Sequence, residues 1–162
     1  MDNKENIFQE TENYIRSLGF QISDKDQNRP WGGFFVIEEN QSLQFAEYFF
    51  PGYKIMTEQK ISPKILLVGP GKKLSWQYHF RRSELWKLIK GEAGIIRSFT
   101  DVQGELEKMI NNESVELKQG ERHRLVGLEN WGVIAEIWMH TDPQHPSNEE
   151  DIVRLQDDFG RN

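Results

Sequence analysis

Residues 71–91 read GKKLSWQYHFRRSELWKLIKG, and the fold turns on how this stretch is read. Residues two apart on a strand point to the same face, so Gln77 and His79 project together. A turn around Arg81-Arg82 then returns the chain on a second strand that begins near Glu84. One hairpin thereby carries an amide oxygen, an imidazole and a carboxylate to a single point. Apolar residues alternate with polar ones on both arms, and Gly71 and Gly91 bracket the unit.

The same texture continues outward from this hairpin. Short apolar runs at 64–68, 73–79, 84–90, 93–99, 113–117, 122–126 and 132–139 read as strands. Turn residues separate them at Gly69-Pro70-Gly71, Lys90-Gly91, Asp101 to Gly104, Gln119-Gly120 and Asn130 to Gly132. Closely spaced strands without alternating helices argue for an all-β barrel or sandwich. Upstream, residues 33–38 form a further candidate strand. Residues 43–49 form a short candidate helix with Ser42 as its cap and Pro51-Gly52 as its stop. Residues 20–30 are mostly polar and read as a connector. Residues 5–19 carry Ile7, Phe8, Tyr14, Ile15 and Leu18 at helical spacing, which predicts a helix lying on the outside of the domain. The tail at 149–161 keeps Ile152, Val153, Leu155 and Phe159 among its acidic residues, and is expected to dock on the barrel. The chain therefore divides into an N-terminal helix and connector, 1–28, and a β domain, 29–162.

Composition bounds the chemistry. A chain of 162 residues is one domain by length. Its net charge is −6, and its short basic pairs make no patch of the kind that nucleic acid requires. There is no cysteine, which excludes disulfides and thiolate metal ligands. No stretch has the length and apolarity of a membrane helix, and the first residues do not read as a secretory leader. A cytoplasmic protein with neither nucleic-acid nor membrane partners is the expectation.

His123 follows another glycine turn and opens a later strand, so it is the candidate fourth ligand beside Gln77, His79 and Glu84. Two imidazoles, a carboxylate and an amide suit one divalent ion of the Zn, Mn, Fe, Co or Ni kind. A lone histidine on a strand is usually only a polar strand residue. Here the spacing Gly71-x5-Gln77-x-His79-x4-Glu84-x6-Gly91, followed by Gly120-x2-His123, argues otherwise.

That spacing resembles the first and second motifs of the cupins, with Gln77 in place of the first histidine. The surrounding words resemble the type II phosphomannose isomerases, found also as the C-terminal domain of mannose-1-phosphate guanylyltransferase/mannose-6-phosphate isomerases. They are Arg29-Pro30-Trp31-Gly32, Leu74-Ser75, Arg82-Ser83-Glu84, Trp86, His123-Arg124-Leu125 and Glu136. The tail adds Glu150-Asp151-Ile152-Val153-Arg154-Leu155, Asp157 and Phe159-Gly160-Arg161. The chain departs from that wording at Trp76, Leu85, Lys118 and Gly127, where Leu, His, Pro and Asn are usual. Residues 41–61 and 141–148 read as insertions.

The resemblance implies a cupin jelly-roll barrel with a short N-terminal helix, and a homodimer. It also implies a metal-dependent sugar-phosphate isomerase, interconverting mannose 6-phosphate and fructose 6-phosphate. The alternatives are a related enzyme on another sugar, or a non-catalytic cupin that binds a sugar or regulates a partner. An iron dioxygenase is disfavoured by the Arg82-Ser83-Glu84 and C-terminal words. No glycine-rich nucleotide-binding element precedes residue 29, so nucleotidyl transfer is not expected of this sequence.

Aldose–ketose exchange needs a Lewis acid, a base and a cationic grip on phosphate. Glu136, in the apolar run AEIWM, is the candidate base if it faces the metal; otherwise it points to solvent or pairs with an arginine. Arg82, Lys64 and Arg161 are the candidate phosphate ligands, with Arg82 and Lys64 close enough to the motif to assist catalysis. Arg154 reads as a partner of Glu150. His140 and His145 read as surface loop residues.

Overall fold

The computed structural model describes residues 3–55 and 59–161. Residues 56–58 of the 41–61 segment lie outside the described residues.

Helix α1 spans Lys4–Ser17, close to the expected span. The Asn3 side chain accepts from the Asn6 N–H at 2.8 Å and so caps its first turn. Ile7, Phe8 and Ile15 are buried and Leu18 is half-buried, so most of the apolar stripe read from the sequence docks, while Tyr14 stays exposed.

The connector expected over 20–30 is instead mostly strand. Strand β1, Ile22–Arg29, runs antiparallel to β2, Gly32–Ile37. Its sequence ISDKDQNR hides it, because β1 pairs on one side only and has no fully buried side chain. Charged residues on an edge strand disfavour pairing with other chains. A short 3₁₀ turn, Glu39–Gln41, leads into helix α2, Ser42–Phe49. Ser42 is not the cap expected of it. It is the first helical residue, and its hydroxyl donates back to the Glu39 carbonyl at 2.6 Å.

The remaining strands are β3 (Ile61–Val68), β4 (Trp76–Tyr78), β5 (Arg82–Ser98), β6 (Glu107–Lys108), β7 (Ser114–Leu117), β8 (Arg122–His140) and β9 (Val153–Gln156). Four expected strands are thus two long ones. The segments 84–90 and 93–99 fuse into β5, and 122–126 and 132–139 fuse into β8. These two pair along nearly their whole lengths, from Arg82↔His140 to Ser98↔Arg122. The register slips between Leu88 and Lys90 and again between Gly91 and Ala93, and Gly91 sits at φ 75°. The glycine that looked like a turn is therefore a bend within a strand, at a backbone angle other residues resist.

The bend divides the molecule into two layers. One runs β1-β2-β3, then the second half of β8, the first half of β5, and β7. The other runs β9-β4, then the first half of β8, the second half of β5, and β6. Between them lie Phe34, Leu66, Trp86, Leu88 and Ile134 from the first layer and Ile95 and Leu125 from the second. This is the all-β cupin-type barrel expected.

The outer face of the first layer is also buried. Phe35, Ile37, Ile65, Leu67, Leu85, Val133, Ala135 and Ile137 pack with Ile7, Phe8 and Ile15 of α1 and Phe45 and Phe49 of α2. Strands covered on both faces become continuous apolar runs, which is why GFFVI, ILLV and GVIAEIWM show so little alternation. Full burial of a side chain such as Phe8 or Phe45 contributes roughly 1.5–3 kcal/mol. The chain segment 41–61 thus supplies, through α2, part of the roof of this layer.

Candidate metal centre and cleft

Alternation along the strands aims the polar residues. Lys64 on β3, Glu84 on β5, and Glu136 and Trp138 on β8 share the interior face with Leu66, Trp86 and Ile134. His123 stands at the start of β8, opposite Gln77 of β4. His79 follows β4 directly, before the turn into β5. The ligand atoms of His79, Glu84 and His123 all lie within 4.8 Å of one another, and all three residues are buried. Gln77 lines the cleft beside them as the register partner of His123.

Hydrogen bonds behind the ligands set both imidazoles. His79 Nδ1 donates to the Asp151 carbonyl at 2.7 Å, and His123 Nδ1 donates to the Glu121 carbonyl at 3.1 Å. Each ring then turns Nε2, with its lone pair, toward Glu84, as metal-binding histidines do. His79 Nε2 lies 3.1 Å from one Glu84 oxygen and His123 Nε2 lies 3.7 Å from the other. His123 Nε2 is buried with no hydrogen-bond partner. A buried polar atom left this way is costly and needs a reason. A divalent cation held by Nε2 of both rings and the Glu84 carboxylate supplies one. The residues present therefore fit a metal ion of the N/O-preferring class.

Charge in this centre is set by burial and by close partners. Burial alone would raise the Glu84 carboxyl; the Arg82 guanidinium, 2.8 Å away, overrides it and holds Glu84 well below the usual carboxylate range. Burial pushes His123 down to about 4, so its ring is neutral and available as a ligand. Burial first, and the Glu84 charge second, push Glu136 up to about 8, against the pull of Lys64 and Arg82.

Glu136 faces inward. It is 4% exposed, and its two oxygens accept from Trp86 Nε1 at 2.7 Å and Trp138 Nε1 at 2.9 Å. Trp86 Nε1 also lies 3.1 Å from Glu84 Oε1, so one indole joins the candidate base to the metal centre. Both tryptophans are thus donors to buried carboxylates.

The cleft above this floor encloses about 640 Å³, counted to its open mouth. Lys64, Arg82 and Arg161 all line it, as do Arg29 and Arg154. Arg82 is held inside by many bonds. Its Nε reaches Glu84 at 2.8 Å, Nη2 reaches His79 Nε2 at 3.2 Å, and Nη1 reaches Ser147 Oγ at 2.9 Å. Its guanidinium also stacks 3.5 Å over Trp138. Lys64 lies over the same indole at 4.0 Å and contacts Glu149 at 2.7 Å. Arg161 is paired with Asp157 at 2.8 Å. Arg154, read as a partner of Glu150, lines the cleft on β9 as the register partner of Gln77. Arg29 and Arg154 were not among the expected phosphate ligands; the Arg29-Pro30-Trp31 and Val153-Arg154-Leu155 words were the available signal.

His140 is not a surface residue. It is 3% exposed, with Nε2 2.8 Å from Ser62 Oγ and Nδ1 accepting from the Ser147 N–H at 2.9 Å. His145 is exposed, as expected. The segment 141–148 contributes Ser147 to the wall of the centre and so is more than a surface loop.

The four departures from the resembling family leave the site's interior face untouched. Leu85 points to the opposite side of β5 from Glu84, into the helix-covered core. Trp76 packs with Ile96 and Val126 and donates to the Asp101 carbonyl. The Lys118 N–H donates to Glu121 Oε1 at 2.9 Å, a bond that proline could not make. At Gly127 a Cβ would lie 1.9 Å from the Gly69 carbonyl oxygen, so this backbone approach admits glycine alone.

Residues 21–157 match the family described as mannose-6-phosphate isomerase C-terminal. The chain belongs to that family. A mannose-1-phosphate guanylyltransferase of Salmonella montevideo is 31% identical over 141 residues, which cover 87% of this chain and 24% of that protein. The xanthan biosynthesis protein XanB of Xanthomonas campestris is 29% identical over 133 residues, 82% of this chain and 23% of that protein. The chain thus spans about a quarter of the length of these relatives. Among solved structures, vicilin from tomato aligns with a TM-score of 0.52 at 14% identity over 80% of the chain and 32% of vicilin. The capsular polysaccharide assembling protein CapF of Staphylococcus aureus aligns at 0.51, with 15% identity over 85% of the chain and 32% of CapF. Both are likenesses of fold. No helix among the described residues is long and apolar enough to cross a membrane.

Proposed function

We propose that this member of the mannose-6-phosphate isomerase C-terminal family is a metal-dependent sugar-phosphate isomerase acting on mannose 6-phosphate and fructose 6-phosphate. The observation that carries the reading is Glu136. A buried carboxyl sits beside a three-residue metal centre, at the floor of a cleft lined by five cationic side chains. A divalent ion on His79, Glu84 and His123, with Gln77 alongside, would supply Lewis-acid polarisation of a sugar carbonyl.

The remaining work falls to the chain's own groups. Glu136 takes a proton from the carbon next to the carbonyl and delivers it to the carbonyl carbon, while the proton of the neighbouring hydroxyl passes to the former carbonyl oxygen. Trp86 and Trp138 hold its two oxygens in place through that exchange. A carboxyl raised toward neutrality by burial is a stronger base than an exposed one. Arg29, Arg154, Arg161 and Lys64 surround the cleft and suit the phosphate of the substrate. Glu149 already presents a carboxylate to Lys64, which supports an anion-accepting role for this wall.

The test is turnover of mannose 6-phosphate by protein loaded in turn with Zn, Mn, Co, Ni and Fe(II), against a chelator-treated control. Glu136→Gln is expected to lower kcat by about 10²–10⁴-fold while leaving metal content unchanged. Full turnover in Glu136→Gln would sink the assignment of the base. No turnover in wild-type protein that holds one ion per chain would sink the isomerase reading.

A further inference from the structure

We infer that Asp151 is a positioning residue of the metal centre, which clamps the 147–151 segment onto the turn after β4 and thereby aims the His79 ring. The inference rests on the metal-centre part of the reading above and not on the identity of the substrate.

Asp151 lies 72 residues from His79 in sequence and is 4% exposed. Its carbonyl oxygen takes the His79 Nδ1–H at 2.7 Å. Its carboxylate takes the Phe80 N–H at 2.9 Å, the Arg81 N–H at 3.0 Å and the Ser147 hydroxyl at 2.6 Å. A buried carboxylate is costly unless it is fully hydrogen-bonded, and this one has three donors. Two of them belong to the turn that carries His79 on one side and Arg82 and Glu84 on the other. The third belongs to the 147–151 segment itself, which Arg82 Nη1 also grips through Ser147 Oγ and the Asn148 carbonyl.

The consequence is directional. The carbonyl fixes which His79 nitrogen carries the proton, and so leaves Nε2 to face Glu84. The carboxylate fixes where that carbonyl stands. Strand β9 extends the same clamp, since Tyr78 pairs with Val153 and Gln77 with Arg154. The C-terminal segment is thus part of the metal centre's frame, although none of its described residues belongs to the ligand cluster.

The experiment is titration of the chelator-treated full chain with Co(II), read by visible d–d absorption and by calorimetry. Wild type is expected to take one ion per chain. Asp151→Ala is expected to bind about 10–100-fold more weakly, with a changed absorption envelope, because its His79 ring is no longer fixed. Asp151→Asn keeps one oxygen acceptor and is expected to recover part of the affinity. Ser147→Ala removes the hydroxyl that donates to Asp151 and accepts from Arg82 Nη1, but leaves the Phe80 and Arg81 N–H bonds to Asp151 in place. It is expected to weaken binding by a smaller factor, which covers the case in which Asp151→Ala does not fold. Asp142→Ala, on the exposed part of the same loop, is expected to match wild type. If wild type binds no Co(II), the metal-centre reading itself fails. If wild type binds, and Asp151→Asn and Ser147→Ala share its affinity and spectrum, the positioning role of Asp151 is overturned.

Discussion

Lys64 and Glu136 are register partners on β3 and β8, yet the carboxylate in contact with the Lys64 ammonium, at 2.7 Å, belongs to Glu149. The pairing leaves Glu136 to the two indoles and turns Lys64 toward the open wall of the cleft. Partial desolvation by the cleft wall works against the Glu149 carboxylate, and Lys64 more than offsets it, so its pKa lies below the ordinary value.

Glu149 therefore competes with any anion that enters. Replacing it with glutamine is expected to tighten binding of inorganic phosphate and to lower KM for a phosphorylated sugar. Its side chain is 67% exposed, so the pair is worth no more than about 1 kcal/mol, and the gain is expected to stay within about fivefold. Calorimetry with phosphate checks this. Weaker binding in Glu149→Gln would mean that Glu149 orders Lys64 rather than occupying an anion's place.

Trp86 serves two carboxylates through one N–H, at 2.7 Å to Glu136 and 3.1 Å to Glu84. Phenylalanine at this position keeps a ring but removes the donor. Leaving a buried acceptor unmet costs about 1–3 kcal/mol, so Trp86→Phe is expected to lower the urea midpoint accordingly. Loss of the donor also disfavours the charged form of Glu136, so the acid limb of any pH–rate profile is expected to move to higher pH. An unchanged midpoint together with an unchanged limb would show that the indole only fills space.

Much of the site was legible because its determinants are local. Gln77 and His79 share a face by strand alternation, and Glu84 returns across one turn, so spacing alone brings them together. Glu136 was legible as a charge out of place in an apolar run, although the sequence could not say which side it faced. What stayed hidden depends on distant partners. β1 shows no apolar pattern because it buries little, and its strand character comes from pairing with β2. Gly91 and Gly132 read as turn ends because sequence does not separate a reversal from a bend inside a paired strand. His140 and Asp151 gain their roles from each other's neighbourhood at Ser147, which no spacing rule reports.

Phe8 joins α1 to the barrel. It is 1% exposed and packs against Phe35 and Trp131, with ring centroids at 5.6 and 6.2 Å. Phe8→Ala opens a cavity between helix and sheet and is expected to cost about 3–5 kcal/mol. The candidate metal centre lies on the other face of that layer, so Co(II) affinity of the folded fraction is expected to change little. Thermal unfolding beside a Co(II) titration separates the two effects, and loss of affinity without loss of stability would contradict this division of the layer.

His140 makes the fold sensitive to acid. Burial first, then the nearby charges of Lys60 and Arg82, lower its pKa from 6.5 to about 4, while Glu39 and Asp151 pull the other way. The fold thus favours the neutral ring, which accepts the Ser147 N–H and leaves Nε2 for Ser62. Stability from this residue is complete above pH 6.5 and is lost as pH falls through the window down to about 4, at up to about 1.4 kcal/mol per pH unit. His123 titrates in the same sense and window, so the wild-type curve alone does not isolate His140. The stability gap between wild type and His140→Gln does. That gap is expected to be widest near pH 7 and to narrow steadily toward pH 4.5 in urea unfolding of chelator-treated protein. A gap that stays constant across the range would mean that the Ser147 N–H does not select the neutral ring.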